Sequence, residues 1–129
     1  MTTDHPAGLN RPGGHYRHTV TVPAGARTVH ISGQLPVTPD GQPLADRPFA
    51  EQVGRVLANL DACLAAAGAN REHLTKVRVY VTDIGDWPAF DRVYTDWLGP
   101  CPPPARAVVG VASLHHGVRV EIEAEAAIP

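Results

Sequence analysis

The chain of 129 residues has little of several features, and each shortage excludes a class of protein. Its two cysteines are too few for a disulfide framework. Its 11 Lys and Arg residues are balanced by 13 Asp and Glu residues, giving a formal net charge of −2, which argues against a surface that neutralises nucleic-acid phosphates. No apolar run approaches the roughly 20 residues that cross a bilayer. We therefore expect neither a nucleic-acid nor a membrane partner.

Motifs for cofactors and metals are also missing. The sequence has no glycine-rich phosphate or dinucleotide loop and no Gly-x-Ser-x-Gly nucleophile elbow. Seven histidines are scattered, and the adjacent His115 and His116 do not supply the three or four converging ligands of a metal site. The polar start of the chain is not typical of a signal peptide. We therefore expect a cytoplasmic protein without a metal or a cofactor.

Strand and helix patterns alternate along the rest of the chain. Period-two alternation predicts strands at residues 15–22, 27–33, 74–82, 105–113 and 118–126. Helical spacing predicts a first helix that is capped by Asp46 and ends before Gly68, and a second helix at residues 86–98. Residues 1–14 are expected to be a loose N-terminal arm, followed by a single domain at residues 15–129. This order predicts an α+β fold of two layers, a sheet with both helices on one face.

The predicted helix-free face of the sheet suggests an oligomer. It would carry a mixture of polar and apolar side chains, namely Thr28, His30, Ser32, Tyr80, Val108 and Glu121. A half-apolar sheet face is usually covered, and a second copy of the same chain is the simplest cover. We therefore expect a homo-oligomer.

Arg106 is the first candidate for chemistry. It follows three consecutive prolines at residues 102–104 and opens a predicted strand. A planar guanidinium holds a carboxylate through two charge-assisted hydrogen bonds. The alternative is a surface arginine at the start of a strand, without a function. The small neighbours Ala105 and Ala107 leave the backbone approachable and favour the functional interpretation.

The last predicted strand supplies candidate carboxylates. Glu121, Glu123 and Glu125 share one face, and a carboxylate near a bound substrate can activate a water molecule. The pattern alone does not choose among them. If the last two strands formed a simple hairpin, Arg106 would face Glu125 and lie roughly 13 Å along the strands from Glu121. Either these strands are not neighbours, or Arg106 and Glu121 of different subunits meet, and we favour a site shared between subunits.

Tyr16 and the segment 32–34 complete the candidate site. A Tyr or Ser hydroxyl can donate a hydrogen bond to a tetrahedral intermediate or hold a water molecule. Gly33, which follows Ser32, lets a backbone N–H approach a ligand closely. The alternative is a tyrosine at the core edge and an ordinary turn at the end of a strand.

Taken together, these motifs resemble the RidA (YjgF-type) family of reactive-intermediate deaminases. The resemblance rests on Gly14-His15-Tyr16, Ser32-Gly33-Gln34-Leu35-Pro36, the strand at 77–83, Arg106 after its proline run and Val120-Glu121-Ile122-Glu123-Ala124. It implies a chorismate-mutase-like fold with a mixed sheet, assembled as a homotrimer with ligand clefts between subunits. The implied activity is hydrolysis of 2-imino or enamine acids of the 2-aminoacrylate type to 2-keto acids and ammonia, without a cofactor.

The resemblance also implies residue roles. Arg106 would bind the substrate carboxylate and Glu121 would position the attacking water. The imine and its carbinolamine would be oriented by Tyr16, Ser32 and the backbone of Gly33.

Two residues expected at the substrate depart from the family pattern. Val108 stands where many members have Cys, and Asp91 where they often have Asn. A charge at Asp91 is unfavourable beside a carboxylate-bearing ligand if it points inward. These departures favour a different or larger substrate, such as a pathway-specific enamine. A non-catalytic module that binds small keto acids is the other alternative, whereas the near-neutral charge argues against the RNA cleavage attributed to some relatives.

Overall fold

The structure, a computed structural model, describes residues 6–129. In chain order the main elements are β1 (Arg27–Gln34), α1 (Phe49–Ala66), β2 (Leu74–Val81), α2 (Trp87–Leu98), β3 (Ala105–Gly110) and β4 (Val120–Ile128). The strands form one sheet in the order β1-β4-β2-β3, in which β2 and β3 are parallel and the other neighbours antiparallel. The predicted α+β architecture, two helices packed on a mixed sheet, is confirmed. No helix among residues 6–129 is long and apolar enough to cross a membrane.

The core lies between the two helices and one face of the sheet. Alternate strand residues are buried there, and each helix contributes one apolar stripe, so that the fully buried set includes Val77, Val79, Val81, Val120, Ile122, Val53, Val56, Leu60, Phe90, Tyr94 and Leu98. Each fully buried aliphatic or aromatic side chain contributes about 1.5–3 kcal/mol relative to exposure. The period-two and helical patterns of the sequence therefore coincide with the faces that pack in the core.

The polar side chain of Gln52 in α1 is fully buried in this core. Its Nε2 donates to the carbonyl of Arg47 at 3.0 Å, and its Oε1 accepts from the backbone N–H of Arg119 at 2.9 Å. Gln52 therefore ties the start of α1 to the approach to β4 through satisfied hydrogen bonds.

Helix α1 begins at Phe49, so the predicted cap at Asp46 is wrong. Pro48 occupies the N-cap position with an extended backbone (φ −54°, ψ 149°). A proline disfavours helical backbone at the residue before it, which prevents the helix from including Arg47. At the other end, Gly68 adopts the expected left-handed conformation (φ +76°) just after the helix.

The strand predicted at residues 15–22 is absent. Arg17 forms only an isolated parallel bridge with Ala105, and its N–H donates to the carbonyl of Pro104 at 3.2 Å. The N–H of His15 donates instead to the side chain of Asp91 on α2. Because these backbone groups find partners outside a ladder, the segment lies against the start of β3 and against α2. The predicted arm falls partly on residues 1–5, outside the described residues, and residues 6–14 contain no helix or strand.

Strands β3 and β4 are not neighbours, which confirms one of the two alternatives raised by the sequence. Strand β2 lies between them, and Val77 pairs with Arg106 on one side and Ala124 on the other. The segment from β3 to β4 therefore crosses the end of β2 rather than forming a hairpin.

The helix-free face is more polar than predicted. Arg78 and Glu125 form an ion pair across it at 2.9 Å, and the Tyr80 hydroxyl donates to Glu123. Val108 was predicted on this face, which is wrong, because it is in register with the buried Val79 and packs against the core. Val109, in register with Tyr80, takes the place of Val108 on this face and is exposed.

Candidate functional site

Arg106 is a buried guanidinium. Its register with Val77 turns the side chain to the helix side of the sheet, although β3 is an edge strand. The side chain is 1 % exposed, and Nη1 donates to Asp91 Oδ1 at 2.6 Å. The sequence predicted both residues at the substrate, and the structure brings them into direct contact.

Aromatic rings enclose this guanidinium. Its Cζ lies 5.1 Å from the ring centroid of Tyr94, 5.4 Å from Tyr16, 5.6 Å from Trp87 and 5.7 Å from Phe90. Three of the rings belong to α2, where the helical stripe of the sequence places them on the face toward the sheet. Ring faces attract a cation, so the enclosure stabilises the charge and fixes its position.

Residues 13–16 cover the guanidinium on its other side. The N–H of Gly13 donates to the Tyr16 hydroxyl at 3.2 Å. A Cβ at Gly14 would lie 2.8 Å from Arg106 Nη2 and 2.8 Å from the Trp87 ring. Glycine is therefore required at position 14 because the chain passes directly against the guanidinium.

Two polar atoms beside Arg106 have no hydrogen-bond partner among residues 6–129. They are the Tyr94 hydroxyl and His15 Nε2, and both are buried. The ring of His15 meets that of Tyr94 edge-on at 6.5 Å. Burial raises the pKa of Tyr94 above its ordinary value, and the nearby charge of Arg106 opposes that shift. The phenol is therefore a neutral hydrogen-bonding group at this site. We call Arg106, Asp91, His15, Tyr16 and Tyr94 the Arg106 cluster.

The other predicted site residues form a second group on the helix-free face. A Cβ at Gly33 would collide with Glu121 Oε2 and lie 3.0 Å from its Cδ, so the carboxylate of Glu121 lies directly over Gly33. Ser32 and Gly33 lie where the register of β1 against β4 shifts, between Ile31 and Gln34. We call Glu121, Gly33 and Ser32 the Glu121 cluster.

The two clusters do not meet within one protomer. Arg106 is level with Ala124 across β2, and Glu121 is three residues further along β4. Two strand spacings and three residues separate the Cα atoms of Arg106 and Glu121 by about 14 Å. Their side chains also lie on opposite faces of the sheet, since Glu121 pairs with Tyr80, which is on the other face from Val77.

One cavity among the described residues borders the Glu121 cluster. A cavity of about 340 Å³ is lined by residues of neither cluster, including Arg71 and Cys101, whereas a cavity of about 410 Å³ is lined by Ser32 of the Glu121 cluster together with His30 and Cys63. No group of three or more His, Cys, Asp or Glu side chains within residues 6–129 is arranged to hold a metal ion. Both cysteines are free.

Sequence reasoning missed three contributors to the Arg106 cluster and its enclosure, Trp87, Phe90 and Tyr94. Their helical spacing by itself predicts only an apolar face of the second helix. A stripe of three aromatics beside a predicted strand with a lone arginine is the signal that could have identified them. His15 was noted only as part of a motif, and its contact with Asp91 has no local sequence signal.

Comparison with known proteins identifies the family. The chain belongs to the RidA (YjgF-type) family, since the family model described as endoribonuclease L-PSP matches residues 8–128. It is 32% identical over 113 residues to a 2-iminobutanoate/2-iminopropanoate deaminase of Dermatophagoides farinae, covering 88% of this chain and 85% of that one. The structure resembles RidA from the Antarctic bacterium Psychrobacter sp. PAMC 21119 (TM-score 0.74, 36% identity, 99% and 97% of the chains). It also resembles E. coli TdcF with bound serine (TM-score 0.73, 30% identity, 100% and 96% of the chains).

Proposed function

We propose that this protein is a cofactor-independent hydrolase that converts small 2-imino acids to 2-keto acids and ammonia. The observation that carries the proposal is the enclosed guanidinium of Arg106. Of its five N–H donors, its hydrogen bonds within residues 6–129 use one, on Nη1, for Asp91. The remaining donors suit a substrate carboxylate, and the aromatic enclosure holds them in a fixed direction. The relative named as a 2-iminobutanoate/2-iminopropanoate deaminase and the one with bound serine support a small acid as the ligand.

The reaction needs an oriented substrate and one group that accepts a proton from water. The oxygen of water bonds to the imine carbon, the C=N π pair moves to nitrogen, and nitrogen takes a proton to give a carbinolamine. The nitrogen then takes a second proton, the C–N bond breaks, ammonia leaves with the bonding pair, and the hydroxyl loses its proton as the ketone forms. We assign the water-derived proton to Glu121 and the anchoring of the carboxylate to Arg106, while Tyr16 and Ser32 orient the intermediate.

A second copy of the chain is needed to bring the two clusters together. Arg106 and Glu121 lie about 14 Å apart on opposite faces of one sheet. We therefore propose a homotrimer in which the Arg106 cluster of one protomer faces the Glu121 cluster of the next. Edge strand β3 would lie at this interface, and its Val109, 43% exposed, would be covered there. Sedimentation equilibrium should give the mass of a trimer, and a monomer would exclude a shared site.

One observation favours a second candidate function, a non-catalytic module that binds small acids. Asp91 already holds the guanidinium in the structure, so an incoming carboxylate competes with an internal one. Slow exchange of Arg106 between Asp91 and the ligand carboxylate would suit a binding protein better than an enzyme. This module would share the Arg106 site but would release no product.

The deciding experiment is an assay of keto-acid release from 2-aminoacrylate. The enamine is generated from serine or a halogenated alanine by a lyase, and the uncatalysed hydrolysis is subtracted. We expect the protein to accelerate release, and Arg106→Ala to lower the protein-dependent rate about 10- to 100-fold, because a charge-assisted hydrogen bond contributes about 1.5–3 kcal/mol.

Arg71→Ala is the matched control for this assay. Arg71 also forms an ion pair, with Asp61 at 2.8 Å, and stacks on an aromatic ring of α2, that of Trp97, but it lies outside both clusters. It should retain the activity of the unmodified protein. Absence of acceleration, together with loss of keto-acid binding in Arg106→Ala, would favour the binding module. Equal behaviour of the Arg106 and Arg71 variants would refute both functions. Circular dichroism confirms that each variant is folded.

A further inference from the structure

We propose that Asp91 makes the Arg106 site selective for a zwitterion, the protonated imino acid or an amino acid, over the keto-acid anion. This inference rests on the proposed function, because it assumes that Arg106 binds the ligand carboxylate. It assigns Asp91 as a residue that determines specificity, so that the site distinguishes the substrate from its own product.

The geometry leaves Asp91 available to a cationic nitrogen. Both of its hydrogen bonds fall on Oδ1, from Arg106 Nη1 at 2.6 Å and from the N–H of His15 at 3.3 Å. Its Oδ2 accepts no hydrogen bond within residues 6–129. The side chain of Asp91 is 21% exposed, whereas that of Arg106 is 1% exposed. A ligand that arrives from solvent therefore meets the carboxylate before it meets the guanidinium.

The charges favour a ligand that carries both signs. Arg106 and Asp91 together are neutral, and aromatic rings surround the guanidinium. A keto-acid anion would leave the site with one uncompensated negative charge next to Asp91. An iminium or ammonium acid keeps the sum at zero and places its nitrogen beside Oδ2. At about 4 Å, a single attraction of this kind is worth about 5-fold in affinity in water and several hundred-fold at an effective dielectric constant near 20.

Unpartnered polar atoms at the same place provide a second, independent observation. The Tyr94 hydroxyl and His15 Nε2 are buried without a partner among residues 6–129, on residues whose ring or backbone contacts the ion pair. A buried polar group without a partner is costly, and a polar ligand at this position would supply hydrogen bonds that an apolar one would not. An amino or imino group can donate to either atom, and the Tyr94 hydroxyl can also donate to a carboxylate, so these atoms favour a polar ligand without choosing between the two acids.

This arrangement would also assist turnover. Protonation of the imine nitrogen makes its carbon more susceptible to attack by water, and Asp91 stabilises that protonated form. Once ammonia has left, the keto acid carries only the negative charge. The product then competes with Asp91 for Arg106 without any compensating contact, so its release is favoured.

Calorimetric titration with two ligands of the same carbon skeleton tests the proposal. The ligands are 2-oxobutanoate, an anion, and 2-aminobutanoate, a zwitterion, at one fixed neutral pH. The wild type should bind the amino acid more tightly. Asp91→Asn should shift the ratio of the two dissociation constants toward the keto acid by at least tenfold, an order of magnitude within the range of the Coulomb attraction (about tenfold per 1.4 kcal/mol). Asp91→Glu retains the charge and should retain the preference.

Asp96→Asn removes the same charge from an exposed position of α2 and should leave the preference unchanged. If Asp91→Asn binds both ligands with the wild-type ratio, or if the wild type prefers the keto acid, the proposal is overturned while the proposed function stands. If Arg106→Ala binds both ligands as tightly as the wild type, the proposed function fails and this inference fails with it. Thermal melting of each variant confirms that the titrated protein is folded.

Discussion

Replacing Gly14 by alanine tests the packing of residues 13–16 on Arg106. The new methyl carbon would lie 2.8 Å from Arg106 Nη2 and 2.8 Å from the ring of Trp87. Ordinary contacts between heavy atoms are about 3.5–4.0 Å, so each neighbour would have to move by about 0.7 Å or more. Arg106 cannot yield freely, because it is 1% exposed and is held by Asp91. We expect a loss of about 1–3 kcal/mol in the free energy of unfolding, as for other overpacked sites.

This loss should be visible in thermal and urea unfolding. For a chain of this length, 1 kcal/mol corresponds to about 4 °C in Tm, so Tm should fall by about 4–12 °C. Tryptophan fluorescence is a suitable probe because Trp87 is one of the two clashing groups. Gly13→Ala is the control, since its added carbon would meet nothing within 4 Å. If the Gly14 and Gly13 variants unfold with the same free energy, the reasoning about the covered guanidinium is refuted.

Two further predictions concern the helix-free face. Gly33→Ala should displace the carboxylate of Glu121 and reduce keto-acid release at least about tenfold, with little change in Tm because only a flexible side-chain end must move. The control Gly54→Ala, on the exposed side of α1, should raise the free energy of unfolding by about 0.5–1 kcal/mol and leave activity unchanged. Loss of activity in the Gly54 variant but not in the Gly33 variant would contradict the role of Glu121. The hydrogen bond from Arg78 lowers the pKa of Glu125 below its ordinary value of 4.5, so this pair adds stability at neutral pH that is lost as the pH falls through the native pKa. Arg78→Gln should therefore lower the free energy of unfolding by less than about 1 kcal/mol at neutral pH, the difference disappearing well below pH 4.5 in urea titrations, and a difference that persists in acid would point to packing instead.

Local patterns predicted most of the fold. Strands β2 and β4 alternate cleanly because each has one face on the core, and the stripes of α1 and α2 follow the helical repeat. The period-two pattern did not identify the buried face of β3. Small or apolar residues occupy both faces of this strand, and the first residue of its buried face is Arg106. The register with β2, which only the folded chain supplies, places Val108 on the helix side.

The candidate site was predictable as a set of residues but not as a geometry. The contact between Arg106 and Asp91 joins positions 15 residues apart across two elements, and no local pattern records it. The position of Gly33 under Glu121 depends on the pairing of β1 with β4. The strand predicted at residues 15–22 failed because its alternation matched a strand while its N–H groups found partners in a side chain and a loop.

The position of β4 in the sheet has a consequence for folding. β1 has its ladder partner about a hundred residues later, with Arg27 opposite Ile128, and β2 pairs with the same strand from the other side. Within residues 6–129 no two strands adjacent in the chain form a hairpin, so hairpin closure cannot nucleate this sheet. Large loops must close before most strand pairs form. Their closure costs chain entropy early in folding, and the strand contacts that offset this cost form only later. We expect the two helices to form and collapse first, and the sheet to assemble around β4 in the rate-limiting step.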